Sequence, residues 1–236
     1  MTTTRPKQEF RIVLVDDHPV FRKGLVELVH SEPDLVVCAE ASDAASGRQA
    51  VAREQPDLVV ADLSLGRGSG LELVKDIRQQ HREVRVIVVS MYDERFYAER
   101  ALRAGADGYI TKAEAADRIV EGIRTVLGGG VYLAEEWASR LLQRGLRGGD
   151  GTSDQPEQNL SDRELEVFRL IGEGYSTRQI SDKLQRSPKT IDSHREHIKQ
   201  KLGDLDNSAL IQRAVSWYLQ SSGTELAREA PERDES

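Results

Sequence analysis

The apolar positions change period partway along the chain. Up to about residue 128, short apolar runs recur at 11–15, 35–39, 57–61, 84–89 and 108–110. Between them lie segments such as "VFRKGLVELVH" and "GLELVKDIRQQ", whose apolar residues stand three and four apart. Short unbroken runs read as strands covered on both faces, and three-four spacing reads as helices with one covered side. Strands alternating with helices imply right-handed βαβ crossovers and a parallel sheet. The pattern predicts an α/β domain over residues 9–128 with five parallel, doubly wound strands.

The next stretch, 129–158, loses this order. After "VLGGGVYL" comes the amphipathic "AEEWASRLLQRGL", then the Gly-rich and polar "RGGDGTSDQPEQN". These predict a linker helix and a flexible tether. Residues 159–221 are purely helical in pattern, with clear start signals. "SDRE" (Ser161 to Glu164) and "STRQ" (Ser176 to Gln179) match the capping box, and Ser187 caps a helix with Pro188 at its first position. Gly172, Gly174 and Gly203 mark helix ends. The expectation is a small all-α domain of four helices, with a long one at about 188–202 and a last one near 207–219. Residues 222–236 read as a disordered acidic tail.

Composition supports two domains without changing this division. The 236 residues are 38% hydrophobic and 31% charged, as in soluble globular proteins. No run approaches the roughly 20 apolar residues of a membrane helix. The N-terminal "MTTTRPKQEF" lacks a signal core. The single cysteine, Cys38 in "LVVCAEA", excludes an internal disulfide and reads as a small buried apolar residue. A cytoplasmic protein is expected. The net charge of −7 conceals an asymmetry. Residues 178–201 hold seven Lys or Arg against three Asp or Glu, a net +4, whereas 222–236 hold five acids against two bases, a net −3. A basic helix is therefore expected inside an acidic protein.

In open parallel sheets, ligands bind beyond the carboxyl ends of the strands. Asp16 and Asp17 end the first predicted strand, Asp62 the third and Ser90 the fourth, and Lys112 follows the fifth. Each alone has a plain role as turn former, loop hydroxyl or surface charge. Five of them at four strand ends predict a pocket. Clustered carboxylates need a counter-charge, and Mg²⁺ favours a few carboxylates with water and phosphate oxygens. Asp62 is then suited to attack a phosphoryl group, while Lys112 and the cation stabilise its oxygens and Ser90 bonds to one of them. His18, a lone imidazole beside Pro19, reads as structural rather than as a ligand or phosphoacceptor.

These residues carry a family resemblance. Residues 11 to about 128 resemble a response-regulator receiver domain, which implies a flavodoxin-like fold. Asp16, Asp17, Asp62, Ser90 and Lys112 match its motif position by position. The resemblance implies that Asp62 is the phosphoacceptor for a sensor histidine kinase. It implies that Mg²⁺ is held by Asp16, Asp17, Asp62 and the Ser64 backbone carbonyl, and that Tyr109 follows Ser90 in a switch. A half-buried strand aromatic is the alternative for Tyr109. One departure is visible: Gly66 stands where the family places proline, although Gly70 is kept.

The helical part, from Leu160-Ser161 and Arg163-Glu164 through Lys189-Thr190-Ile191 to Lys201-Leu202, resembles the LuxR-type helix-turn-helix. Together the two parts resemble the NarL/FixJ class of DNA-binding response regulators. By that resemblance the helix at 188–202 enters the major groove of double-stranded DNA. Arg186, Lys189, Thr190, Arg195, Lys199 and Lys201 would meet phosphates, and Asp192, Ser193 and Glu196 would face base edges. A homodimer on phosphorylation and contact with RNA polymerase are further expectations. No enzymatic turnover is expected. The alternatives are a regulator whose helical module binds protein rather than DNA, and a Mg²⁺-dependent aspartyl phosphatase.

Overall fold

The computed structural model describes residues 9–65, 68–135, 137–139 and 156–221. The tether from 140 to 155, the tail 222–236 and Gly66 lie outside the described residues. Those that are described form two compact units.

The first is a five-stranded sheet in the order β2-β1-β3-β4-β5, all neighbours parallel. The strands are β1 (Phe10–Val15), β2 (Leu35–Ala41), β3 (Leu58–Asp62), β4 (Arg85–Ser90) and β5 (Gly108–Thr111). Each crossover carries a helix: α1 (Pro19–His30), α2 (Ala44–Glu54), α3 (Gly70–Gln80) and α4 (Glu94–Ala104), with α5 (Ala115–Leu127) following β5. The central strands read as unbroken apolar runs because helices cover both their faces. All five residues of β3 are buried, and Ile12, Leu14, Val60, Ile87 and Ile110 join Ile119 and Ile123 in one core. Each such side chain contributes roughly 1.5–3 kcal/mol on burial.

Register sets the site. Val15 pairs with Ala61, Asp62 with Val89, and Ser90 with Thr111. The residues that end or follow these strands therefore emerge at one height on one edge. Gly70 tightens the same edge, because a Cβ there would lie 2.2 Å from the Asp62 carbonyl oxygen. Any side chain would push the start of α3 away from β3.

Two details differ from the sequence expectation. Cys38 is only partly buried: it sits where the β1–β2 register slips, and its thiol donates to the Ile12 carbonyl over 3.4 Å. Burial still raises its pKa above the ordinary thiol value. Beyond α5 the chain returns to the sheet edge, where Tyr132 forms a parallel bridge with Gly108. The Tyr109 N–H donates to the Tyr132 carbonyl over 2.9 Å. A single bridge has no periodicity for a sequence reading to detect.

The rest of the described chain is helical: α6 (Asp162–Gly172), α7 (Thr177–Leu184), α8 (Pro188–Lys201) and α9 (Asn207–Ser221). The capping signals are realised: the Ser161 N–H donates to Glu164 over 2.7 Å, the Ser176 N–H to Gln179 over 2.9 Å, and Ser187 Oγ accepts from the Thr190 N–H over 3.1 Å. Pro156–Asn159, expected to be tether, form a 3-10 turn whose Glu157 pairs with Arg213 of α9 at 2.9 Å. Gly172 allows α6 to pack tightly on α9, since a Cβ would lie 2.4 Å from the Ala214 carbonyl oxygen. Among the described residues, no helix is long and apolar enough to cross a membrane.

Candidate functional site

At the carboxyl edge of the sheet, Asp16, Asp62, Ser90 and Lys112 are buried together, with Asp17 partly exposed beside them. The Lys112 ammonium lies 2.7 Å from Asp16 Oδ2 and 2.7 Å from Asp62 Oδ2. It also stands over the Phe21 ring, 4.6 Å from its centre. Three carboxylates and one ammonium leave an excess of two negative charges. Burial, partly offset by Lys112 and reinforced by the neighbouring Asp16, raises the Asp62 carboxyl to about 6. The Ser64 N–H donates to Asp62 Oδ1 over 3.0 Å, fixing the carboxylate plane.

The donor set fits a hard divalent cation. Ligand atoms from Asp16, Asp17, His18 and Asp62 all lie within 4.8 Å of one another. Asp17 Oδ1 is buried, and among the described residues no donor reaches it in hydrogen-bonding geometry. An oxygen so placed is costly unless a cation completes it. The excess of two charges is what such an ion balances.

The acidic edge connects to the β4–α4 loop through Tyr92, which the sequence reading did not single out. Its phenol shares a 2.7 Å hydrogen bond with Ser64 Oγ, and its N–H donates to Ser90 Oγ over 3.2 Å. Its carbonyl accepts from the Tyr109 hydroxyl over 2.7 Å. Tyr109 is completely buried rather than half-buried, and this burial raises its phenol well above the ordinary value. One residue thus links the loop after Asp62 to both Ser90 and Tyr109. No short motif marks Tyr92, since its role arises only where two loops meet. His18 was also set aside as structural; its ring stands among the acids, 2.8 Å from Asp17.

The helix α8 presents a different surface. Ile191 and Ile198 are buried, while Lys189, Asp192, Ser193, Glu196 and Gln200 form one exposed stripe at helical spacing. This stripe carries two acids and one lysine, so it is less basic than the segment average implied. Arg186 is exposed ahead of it, Thr190 and Arg195 are half-buried beside it, and Thr190 Oγ1 is 2.8 Å from the capping Ser187 hydroxyl. The Ser193 hydroxyl donates to the Lys189 carbonyl over 3.0 Å, and Lys199 pairs with Glu196 at 2.7 Å. Lys201 is drawn back onto α6, 2.7 Å from the buried Glu164. A phosphate-facing lysine was expected there. The capping carboxylate of Glu164 explains the difference, because a buried acid secures a nearby cation.

Comparison with known proteins identifies both parts of the chain. Residues 12–124 match the response regulator receiver domain, and residues 158–214 match the bacterial regulatory proteins of the luxR family. The chain is 34% identical over 209 residues to the oxygen regulatory protein NreC of Staphylococcus carnosus, covering 87% of this chain and 96% of that one. It is 29% identical over 222 residues to the transcriptional regulatory protein DegU of Brevibacillus brevis, covering 89% and 94%. Among solved structures, RcsB of Salmonella enterica serovar Typhimurium, bound to promoter rprA in the presence of the phosphomimetic BeF3-, is similar. Its TM-score is 0.64 at 26% identity, over 88% of this chain and 99% of that one.

Proposed function

Since the chain belongs to the NarL/FixJ-class response regulators, with a receiver and a LuxR-type DNA-binding domain, we propose that Asp62 is its phosphoacceptor. The observation that carries this reading is the pairing of a buried Asp62 with Lys112 beside two further aspartates. A sensor histidine kinase supplies the phosphoryl group. An Asp62 oxygen attacks phosphorus, the bond from phosphorus to the kinase imidazole breaks, and an acyl phosphate forms. Asp16, Asp17, Asp62 and the Ser64 carbonyl would hold Mg²⁺, which neutralises charge on the transferred oxygens. Lys112, 2.7 Å from Asp62 Oδ2, would meet the same oxygens. Ser90 Oγ would exchange the Tyr92 N–H for a phosphoryl oxygen, and the Tyr109 bond to Tyr92 would respond.

The output is transcriptional control through α8. Arg186, Lys189, Thr190 and Arg195 would meet DNA phosphates, with Lys199 flanking them, and Asp192, Ser193 and Glu196 would lie along base edges, where a carboxylate accepts from cytosine. RcsB in its promoter complexes supports this use of the module. A homodimer on phosphorylation is supported by Ile211, Val215 and Leu219, exposed at four-residue spacing along α9. RNA polymerase is a further partner, and the cytoplasm is the place of action. The domains would run over 9–128 and 159–221, joined by 129–158.

Selection of bound duplexes from a random pool tests the reading. Protein treated with a small phosphodonor and Mg²⁺ should enrich one sequence, and the Asp62→Asn variant should not. No enrichment at low salt, with phosphorylation verified, favours a module that binds protein.

A further inference from the structure

The Lys112 ammonium has two kinds of neighbour. Asp16 Oδ2 and Asp62 Oδ2 each lie 2.7 Å away, and the centre of the Phe21 ring lies 4.6 Å away. Phe21 belongs to the first turn of α1, which is anchored without the acidic side chains. The adjacent Arg22 donates through Nη1 to the Asp16 backbone carbonyl and through Nε to Glu40 over 3.0 Å. The Phe21 ring is half-buried and packs against the core of the sheet. Its position is therefore set by folding, before any phosphoryl group arrives.

The two kinds of neighbour fare differently during phosphoryl transfer. Asp62 loses its carboxylate charge as the acyl phosphate forms. Asp16 and Asp62 would also share a divalent cation, which repels an ammonium. Both carboxylate ties of Lys112 weaken just when its charge is needed at the transferred oxygens. An aromatic ring neither ionises nor competes for the oxygen ligands of a hard cation. Its face still attracts an ammonium, and most strongly away from water. The Lys112 side chain is only 4% exposed, so the attraction acts there with little screening.

We propose that Phe21 is a positioning residue for phosphoryl transfer, its ring face holding the Lys112 ammonium at the transferred oxygens as the carboxylate partners are drawn away. The proposal rests on the reading of Asp62 as phosphoacceptor given above. A plain packing role for Phe21 needs only its volume and apolarity. The positioning role needs the electron-rich face. Fluorine separates the two, since each substituent withdraws density from the face with little change in ring size.

The test uses the full chain with progressively fluorinated phenylalanines at position 21. Intact mass follows the rate at which acetyl phosphate with Mg²⁺ modifies the protein. The rate should fall stepwise with fluorination, and by about tenfold in Phe21→Leu. The same series at Phe10, which packs on the same core at the amino end of β1, should be flat. Nuclear magnetic resonance gives a readout apart from the rate. The ring should shift the methylene protons beside the Lys112 ammonium upfield, and Phe21→Leu should abolish the shift. The shift should be present without divalent ions and persist with Mg²⁺ and the phosphomimetic beryllofluoride. Its loss on adding these two overturns the proposal. A flat series at Phe21 in a protein that is modified, or an equal decline at Phe10, also overturns it. No adduct on the parent overturns the Asp62 reading, and this proposal with it.

Discussion

The sheet edge and the exposed face of α8 use the same kinds of residue under opposite conditions. At the edge, Asp16, Asp62 and Lys112 are buried, and each charge has a partner within 2.7 Å. On α8, Lys189, Asp192 and Glu196 face solvent, and the Lys199–Glu196 pair lies along the helix surface. A buried charge must be matched or it destabilises the fold. An exposed one is nearly free to vary. The first region is therefore determined by folding and read from strand ends. The second is determined by what it binds.

The comparison breaks most visibly at Lys112. Lys112→Ala leaves Asp16 and Asp62 without their shared cation and should cost about 3–5 kcal/mol in chemical denaturation without divalent ions. Added Mg²⁺ should restore part of this by binding the folded state. A loss below about 1 kcal/mol would mean that the acids do not depend on Lys112.

Lys201 sharpens the contrast from the other unit. Lys201→Ala removes the partner of the buried Glu164 and should cost roughly 1–2 kcal/mol. The variant should leave the salt dependence of DNA binding unchanged. A shallower salt slope would place Lys201 on phosphate after all.

Glu94 tests whether burial governs titration elsewhere in the receiver. Burial, with help from Glu114 and Asp93, raises its carboxyl to about 7, although the Ala134 N–H opposes this. The folded state thus holds the proton more tightly than the unfolded chain. Its contribution is fully present below pH ~4.5 and is lost as pH rises through about 7. Glu94→Gln should flatten that decline and stabilise the protein by about 1 kcal/mol at pH 8. Thermal unfolding at several pH values reads it.

The smallest effect on stability belongs to Lys189→Ala, expected within about 0.5 kcal/mol of the parent. Its consequence should appear in binding alone. Affinity should weaken similarly for all sequences, and the slope of log K against log salt should drop by about 0.9. Loss of affinity for one sequence only would mark Lys189 as a base reader.

Much of the first region was legible because strand period and strand end fall together. The apolar runs located β1, β3, β4 and β5 to within a residue or two, and the polar residues just beyond them became the site. His18 and Tyr92 were not legible in the same way. A lone imidazole and a loop tyrosine have no period, and their contacts arise only when separate segments converge. The surroundings of Lys201 were hidden for a related reason. Its charge pointed to DNA in sequence, while the cap residue that captures it lies 37 positions earlier. On α8 the helix and its buried face were legible from Ile191 and Ile198. The base-reading residues depend on a DNA sequence that this chain does not encode.

The central claim is that Asp62 carries the phosphoryl group, and intact-protein mass tests it most directly. Incubation with a small phosphodonor and Mg²⁺ should add one phosphoryl group, labile to hydroxylamine as an acyl phosphate is. The adduct should vanish in Asp62→Asn and when the cation is chelated. Equal labelling of Asp62→Asn, or none of the parent with Mg²⁺ present, would contradict the account.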